Sequence, residues 1–587
     1  MGAVVGDRGT HFRVWAPNAQ RVFVTGTFNG GVDRAHPLER DDNGCWSIDL
    51  DAAAPGDEYR YLVHTTDGRV LSRNDPYALA LTNSIGNSII YDHCAFDWGD
   101  DAFQTPAWND LVIYELHVGS FHAREEGRPG DFHSAIARLP YLRSLGVTAV
   151  EVMPPFEFAG DYSWGYNPAH PFAIEQAYGG PDAFKSFVKA CHHNGIAVIL
   201  DVVYNHFGPG DLDLWQFDGW SENDKGGIYF YNDWRSSTPW GETRPDYGRA
   251  EVQQYIRDNA LMWLEQFRCD GLRMDMIPYI RNVHANEDPN DHLHDGYALL
   301  QQINGEIAER FPRALTIAED LHGNDFVTGA VVDGGCGFGS QWDADFVHPV
   351  RNALIVVNDD DRDMDAIAHA LTRRYNNDAF RRVIYTESHD EVANGRARVA
   401  EEISPGAVDN YYSKKRAALG VALVLTAPGI PMLFQGQPLL EDKWFSDTDP
   451  VDWSRFSEMK GFVRLHRDLV NLRTNRTGFT RGLAGQHVSI LYLNHEQKVL
   501  AFHRWMEGGP RDSTVVVLNF RDQAHDALPL PMPSPGTWKV RLNSDWAGYD
   551  EDFNDHEIHD SATYDDGEYW YAPVGLAAYG VVVLSQD

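Results

Sequence analysis

The sequence predicts an α/β protein, a (β/α)8 TIM barrel with a β-sandwich at the N-terminal end of the chain and another at the C-terminal end. Three observations lead there. Between about residues 111 and 475, continuous apolar runs rich in β-branched residues alternate with amphipathic stretches, the pattern of a parallel sheet buried on both faces. On either side of that region, short runs alternate apolar and polar residues between Gly, Asn and Asp clusters, as antiparallel sandwiches do. Three carboxylates, Asp275, Glu319 and Asp390, stand where strand-like runs give way to loops, and a barrel carries its working residues at that rim.

The elements follow in order. Residues 1–105 contain the alternating runs His11-Phe-Arg-Val-Trp15, Arg21-Val-Phe-Val-Thr25, Trp46-Ser-Ile-Asp-Leu50 and Tyr59-Arg-Tyr-Leu-Val63, a modest β-sandwich; about 95–110 reads as a linker. The barrel is expected over 106–477, with strands near 111–116, 147–153, 196–203, 269–275, 315–319, 339–346, 382–387 and 431–435, and helices near 132–145 and 181–194. A doubly wound open sheet is the rival, but no Gly-rich phosphate turn follows the first strand. The stretch 207–250, rich in Gly, Asp, Trp and Tyr, is too long for a simple connection and is expected to cross the barrel mouth. Alternation returns over 478–587, in runs such as Val488-Ser-Ile-Leu-Tyr-Leu493 and Thr514-Val-Val-Val-Leu518.

Composition narrows the partners. The 587 residues carry a formal charge of −37, with only nine lysines among 49 basic residues. Such a surface repels nucleic acid and anionic membranes and tolerates a neutral, polyhydroxylated substrate. No run of about 18 apolar residues suggests a membrane span. The start of the chain lacks the basic-then-apolar pattern of a secretory leader, so a cytoplasmic location is expected. Five scattered cysteines without metal-ligand spacing fit a reducing compartment. The oligomeric state is not legible.

Cleaving a glycosidic bond with retention needs one carboxylate as nucleophile and a second carboxyl group as acid and then base. Arg273, two residues before Asp275 on one strand, shares its face and is expected to hold Asp275 ionised. Glu319 follows Thr-Ile-Ala with no adjacent base, so a raised pKa and an acid role are expected. Asp390, next to His389, suits hydrogen bonds to ring hydroxyls.

Four ordered segments, Asp201-Val-Val-Tyr-Asn-His206, Gly271-Leu-Arg-Met-Asp275, the segment ending in Glu319, and Ser388-His-Asp390, make the region 111–475 resemble the α-amylase superfamily, glycoside hydrolase family 13. The resemblance implies Asp275 as nucleophile, Glu319 as acid/base and Asp390 as transition-state stabiliser. It implies that His206, Arg273 and His389 contact the sugar on the non-reducing side of the cleavage point, and that Tyr166 stacks on it. Asp201 and Asn205 match scaffold positions, sometimes near calcium; no metal ligand or cofactor is expected. The N-terminal part, through Phe23-Val-Thr-Gly-Thr-Phe28-Asn29-Gly30 and Asn74-Asp-Pro-Tyr77, resembles carbohydrate-binding module family 48. Trp15, Trp46 and Tyr61 are open there to a glucan-stacking or a core reading.

The substrate implied is an α-glucan or malto-oligosaccharide. The order sandwich, barrel, sandwich is similar to that of glycogen branching enzymes and maltooligosyltrehalose trehalohydrolases, and 4-to-6 glucan transfer is the first expectation. Val-Tyr-Asn-His in the first motif, Gly179-Gly-Pro-Asp-Ala-Phe and Thr238-Pro-Trp-Gly241 lean towards the trehalohydrolase type, and Phe434-Gln-Gly-Gln437 departs from the usual acidic sequence after the eighth strand. An amylase-like hydrolase and an inactive glucan-binding homologue are the remaining alternatives.

Overall fold

The computed structural model describes residues 1–587. Its centre is a closed parallel barrel of eight strands. They are β1 (Ile113–Leu116), β2 (Ala149–Val152), β3 (Ala197–Val202), β4 (Gly271–Met274), β5 (Leu315–Ala318), β6 (Ser340–Trp342), β7 (Arg382–Ile384) and β8 (Ile430–Phe434). Each pairs with the next, and β8 returns to β1.

All eight expected strands are present; seven are shorter than expected and the eighth is shifted by one residue. The sixth stops at Trp342 because Asp343 caps the helix Ala344–Ile355, its side chain accepting from the Asp345 N–H at 3.1 Å. The seventh ends at Ile384, so Asp390 lies on a loop beyond it. The helix expected near 132–145 is two, Phe132–Ile136 and Leu139–Leu145. Pro140 occupies the first turn of the second, where its missing N–H costs nothing. The helix expected near 181–194 runs from Gly180 to His193.

Strand alternation decides what the barrel holds at each height. Low in the interior, Ile113, Ala149, Ile199, Ile317 and Trp342 belong to one apolar cluster. Two residues further along four of these strands the same inward face carries Glu115, Glu151, Asp201 and, just past β5, Glu319; Arg273 follows Gly271 on β4 in the same way. The interior is thus apolar below and charged at the C-terminal rim.

The N-terminal sandwich packs a four-stranded sheet against a six-stranded one. Trp15, Trp46 and Tyr61 are buried in its core, so these rings stabilise the module and present no glucan platform. The C-terminal region forms a six-stranded and a three-stranded sheet around a separate apolar cluster.

Between Val202 and Ala250 the chain forms only two short 3-10 turns, and the N-terminal module fixes this excursion. Arg73 donates to the carbonyls of Trp215, Gln216 and Phe217 at 3.0–3.2 Å. Asp218 accepts from the backbone and side chain of Asn18 at 2.8 and 3.0 Å. Asp213 pairs with Arg60 at 2.8 Å.

The linker is held at the other end of the barrel by His192. Its Nδ1 lies 2.8 Å from Asp101 and its Nε2 3.0 Å from Asp270, and Phe103 stacks on the ring at 4.5 Å. Burial works against the imidazolium, but the two carboxylates outweigh it and raise the His192 pKa. A raised pKa in the folded state gives stabilisation that is complete below the ordinary histidine value and is lost as pH rises through the folded one. His192→Gln is expected to lower stability by about 1–3 kcal/mol below the ordinary histidine pKa of about 6.5, with the gap in thermal unfolding midpoint narrowing as pH rises through the raised value of the folded state; a gap independent of pH would contradict a charged clamp.

Candidate active site

Arg273 is fully buried and organises the rim. Its Nη1 donates to Asp201 Oδ2 at 2.7 Å and to Asp275 Oδ1 at 3.2 Å. Its Nη2 lies 2.8 Å from Glu319 Oε2, off the hydrogen-bonding direction, as an ion pair. The guanidinium rests over the buried Trp342 ring, 4.3 Å from its centroid. Since the two terminal nitrogens of a guanidinium are roughly 2.3 Å apart, the facing oxygens of Asp275 and Glu319 are separated by no more than about 8 Å.

The two carboxyls differ from the expectation drawn from neighbours in sequence. Glu319 does have a base beside it, because strand pairing of β4 with β5 brings Arg273 across to it. Asp275 is not held down by Arg273: burial and the charge of Glu319 push its pKa up, and the guanidinium offsets this only in part. One cation serves three carboxylates, and burial likewise raises Asp201 to about 6 against the pull of Arg273. Asp275 therefore favours its neutral form in the free site, whereas an acid and a nucleophile require one proton between the two carboxyls, held on the acid.

A second chain of contacts orients Asp275. Asn205 Nδ2 donates to Asp275 Oδ2 at 2.7 Å, which turns Asn205 Oδ1 towards His206 Nδ1 at 2.5 Å. An amide oxygen only accepts, so Nδ1 carries the ring proton. Burial depresses His206 to about 3, so the ring is neutral. Trp240, from the 207–250 excursion, stacks on it at 4.7 Å and 13°, with its edge against Tyr279.

Tyr166 donates its hydroxyl to Asp201 Oδ2 at 2.6 Å and stacks on His389 at 4.9 Å. His389 Nδ1 is 2.6 Å from Glu115, whose other oxygen accepts the His389 N–H at 3.1 Å, and Nε2 is 3.5 Å from Asp390. Burial opposes the charge on His389, but Asp390 and Glu115 overcome it and push the pKa up to about 10. Asp390 is half-exposed and lines a cavity of 380 Å³ together with Glu319, Trp342 and Tyr385.

The structure thus brings Tyr166, His206, Arg273, Asp275, Glu319, His389 and Asp390 to one rim. Sequence reasoning missed Glu115, Glu151 and Trp240. The first two showed only as single acids within the apolar runs Ile-Tyr-Glu-Leu and Ala-Val-Glu-Val. Glu151 is buried without a hydrogen-bond partner, and burial pushes its pKa far up. Met274 is buried in the barrel wall, whereas Met276 is partly open. Asp201 and Asn205 do not suit a calcium ion: the first faces a guanidinium and a phenol, the second is used by Asp275 and His206, and no group of three acidic, His or Cys side chains is placed to hold a metal ion.

This fold and rim are those of a family. The model of the α-amylase catalytic domain matches residues 113–234 and 212–483, carbohydrate-binding module 48 (the isoamylase N-terminal domain) matches 1–78, and the α-amylase C-terminal all-β domain matches 492–587. The chain belongs to the α-amylase family and is an enzyme of its glycosidase and transglycosidase class. It is 29% identical over 574 residues to the 1,4-alpha-glucan branching enzyme GlgB of Oceanobacillus iheyensis, covering 92% of this chain and 87% of that one. It is 32% identical over 578 residues to GlgB 2 of Xanthomonas euvesicatoria, covering 92% and 74%. A pullulanase from Anoxybacillus sp. LM18-11, solved with maltotetraose, shares the fold with a TM-score of 0.77 at 22% identity, over 100% of this chain and 87% of that one.

The Glu115 contact predicts a titration. With Glu115→Gln, the His389 midpoint followed by NMR is expected to fall by roughly 1–3 pH units. An unchanged midpoint would mean that Asp390 alone holds the charge.

Proposed function

We propose that the protein is a retaining α-glucan transglycosidase that cleaves α-1,4-glucosidic bonds and passes the chain to a 6-hydroxyl, a 1,4-α-glucan branching enzyme. The observation that carries the chemistry is the one guanidinium in contact with both Asp275 and Glu319 at the barrel rim. The choice of acceptor rests on similarity to branching enzymes along 92% of the chain.

In this reading Glu319 donates a proton to the leaving oxygen while Asp275 attacks the anomeric carbon, giving a glycosyl-enzyme. The proton of the pair must sit on Glu319 for this step, leaving Asp275 ionised. Three carboxylates around one Arg273 leave the rim net negative, which favours the positive charge that develops on the ring. Tyr166 offers an aromatic face to the C–H side of that ring. The cationic His389 donates to hydroxyls, Asp390 accepts from them, and neutral His206 offers Nε2. The glycosyl-enzyme then meets an acceptor hydroxyl, and Glu319 takes back the proton. The substrate is an α-glucan or malto-oligosaccharide; no helix is long and apolar enough to cross a membrane, in keeping with the proposed cytoplasmic setting.

The test is incubation with amylose and with malto-oligosaccharides, scoring new reducing ends, α-1,6 linkages by proton NMR, and trehalose from maltooligosyltrehalose. Branch points without a matching rise in reducing ends are expected. Reducing ends without branches would make it a hydrolase, and trehalose release would make it a trehalohydrolase. Glu319→Gln is expected to lower kcat by roughly 10²–10⁴ and Asp275→Ala to abolish turnover, with circular dichroism unchanged. Glucan binding with no turnover by the unmodified protein would leave only a binding role.

A further inference from the structure

The residue after Asp275 has an unusual backbone. Met276 sits at φ 37°, in the left-handed region that side chains other than Gly, Asn and Asp seldom enter. Such outliers persist where surrounding contacts over-determine them, and they gather at working sites. The contacts are identifiable here. The Met276 N–H donates to Glu319 Oε2 at 2.9 Å, and the next amide, Ile277 N–H, donates to the Glu319 carbonyl at 3.0 Å. The turn that follows Asp275 therefore lays two successive amides along residue 319.

The same oxygen, Oε2, also faces Arg273 Nη2 at 2.8 Å. One hydrogen bond and one ion pair thus converge on the same oxygen of the carboxyl, and the protein offers no hydrogen bond to Oε1, on a side chain that lines the 380 Å³ cavity. An oxygen that accepts an amide N–H and faces a guanidinium is a poor place for a proton, because an O–H there would point at a donor and a positive charge.

We propose that Met276 is a positioning residue. Its left-handed backbone makes the tight turn that holds its own amide on Glu319 Oε2 and the next amide on the Glu319 carbonyl, and thereby makes Oε1 the oxygen that carries and delivers the proton. The inference rests on the reading of Glu319 as acid/base. In the step, the Oε1–H bond breaks as its proton passes to the glycosidic oxygen; the bond from that oxygen to the anomeric carbon breaks with its electron pair on the oxygen; and an Asp275 oxygen bonds to the carbon. Glu319 is left as a carboxylate whose Oε2 is already solvated by Arg273 and the Met276 amide.

The backbone requirement separates two substitutions. Glycine reaches positive φ freely, whereas valine resists it. Met276→Gly is expected to keep kcat/KM on amylose within about threefold, while Met276→Val lowers it by roughly tenfold or more. α-Maltosyl fluoride, whose leaving group needs little protonation, is expected to be turned over by both variants within about threefold of the unmodified protein. The basic limb of the pH profile should move in the Val variant and stay in the Gly variant. Equal losses in both variants on amylose, or parallel losses on the two substrates, would overturn the inference. Should Met276→Val fail to fold, Met276→Ala set against Met276→Gly supplies the same contrast, with thermal unfolding as control. Failure of the unmodified protein to turn over either substrate would instead sink the acid/base reading, and this inference with it.

Discussion

A single buried cation is the constraint on which the site depends. Arg273 has no solvent to stabilise it, so it has to be neutralised by carboxylates, and Asp201, Asp275 and Glu319 do this together. A guanidinium is suited to the task because its planar fork offers several fixed donor directions and does not lose its proton. Removing it would leave three acids facing one another in a low-dielectric interior, and their mutual repulsion would drive protons onto all of them. The rim would then have neither an ionised nucleophile nor a single mobile proton.

That constraint is supported from both sides. From below, the apolar layers of the barrel hold the strands in register, and Trp342 gives the guanidinium a flat surface to lie on. From above, Tyr166 closes over Asp201 and stacks on His389, itself charged by Asp390 and Glu115. Charge alternates through this network, from Glu115 to His389 to Asp390 and from Asp201 to Arg273 to Glu319. Each buried charge therefore has a neighbour of opposite sign, the condition for tolerating so many ionised groups in the interior.

The N-terminal module acts on this arrangement at a distance. It contributes no side chain to the rim; Trp46 serves its own core, and Trp15 also packs edge-on against Tyr229 of the excursion. Its Arg73, Asn18 and Arg60 instead fasten the 207–250 excursion. The same excursion carries Trp240 onto His206, and His206 leads through Asn205 to Asp275. A sandwich read as carbohydrate-binding on its sequence thus serves in the structure as a brace for a loop that would otherwise lack regular hydrogen bonding.

Sequence alone determined the architecture. Strands buried on both faces must be continuous apolar runs, so β1 to β8 stood out, and their acids marked the rim. Strand ends were overestimated where a capping residue such as Asp343 competes with the ladder. The set Tyr166, His206, Arg273, Asp275, Glu319, His389 and Asp390 was legible because its spacing along the chain repeats a family pattern. Tertiary structure alone decided how these groups share charge. Neighbours in sequence suggested that Arg273 belonged to Asp275 and that Glu319 stood without a base, whereas the lateral pairing of β4 and β5 gives Arg273 to both. Glu115, Trp240 and the left-handed Met276 were equally hidden. A pKa and a hydrogen bond depend on distances across strands and loops, and linear spacing does not encode those distances until the barrel closes.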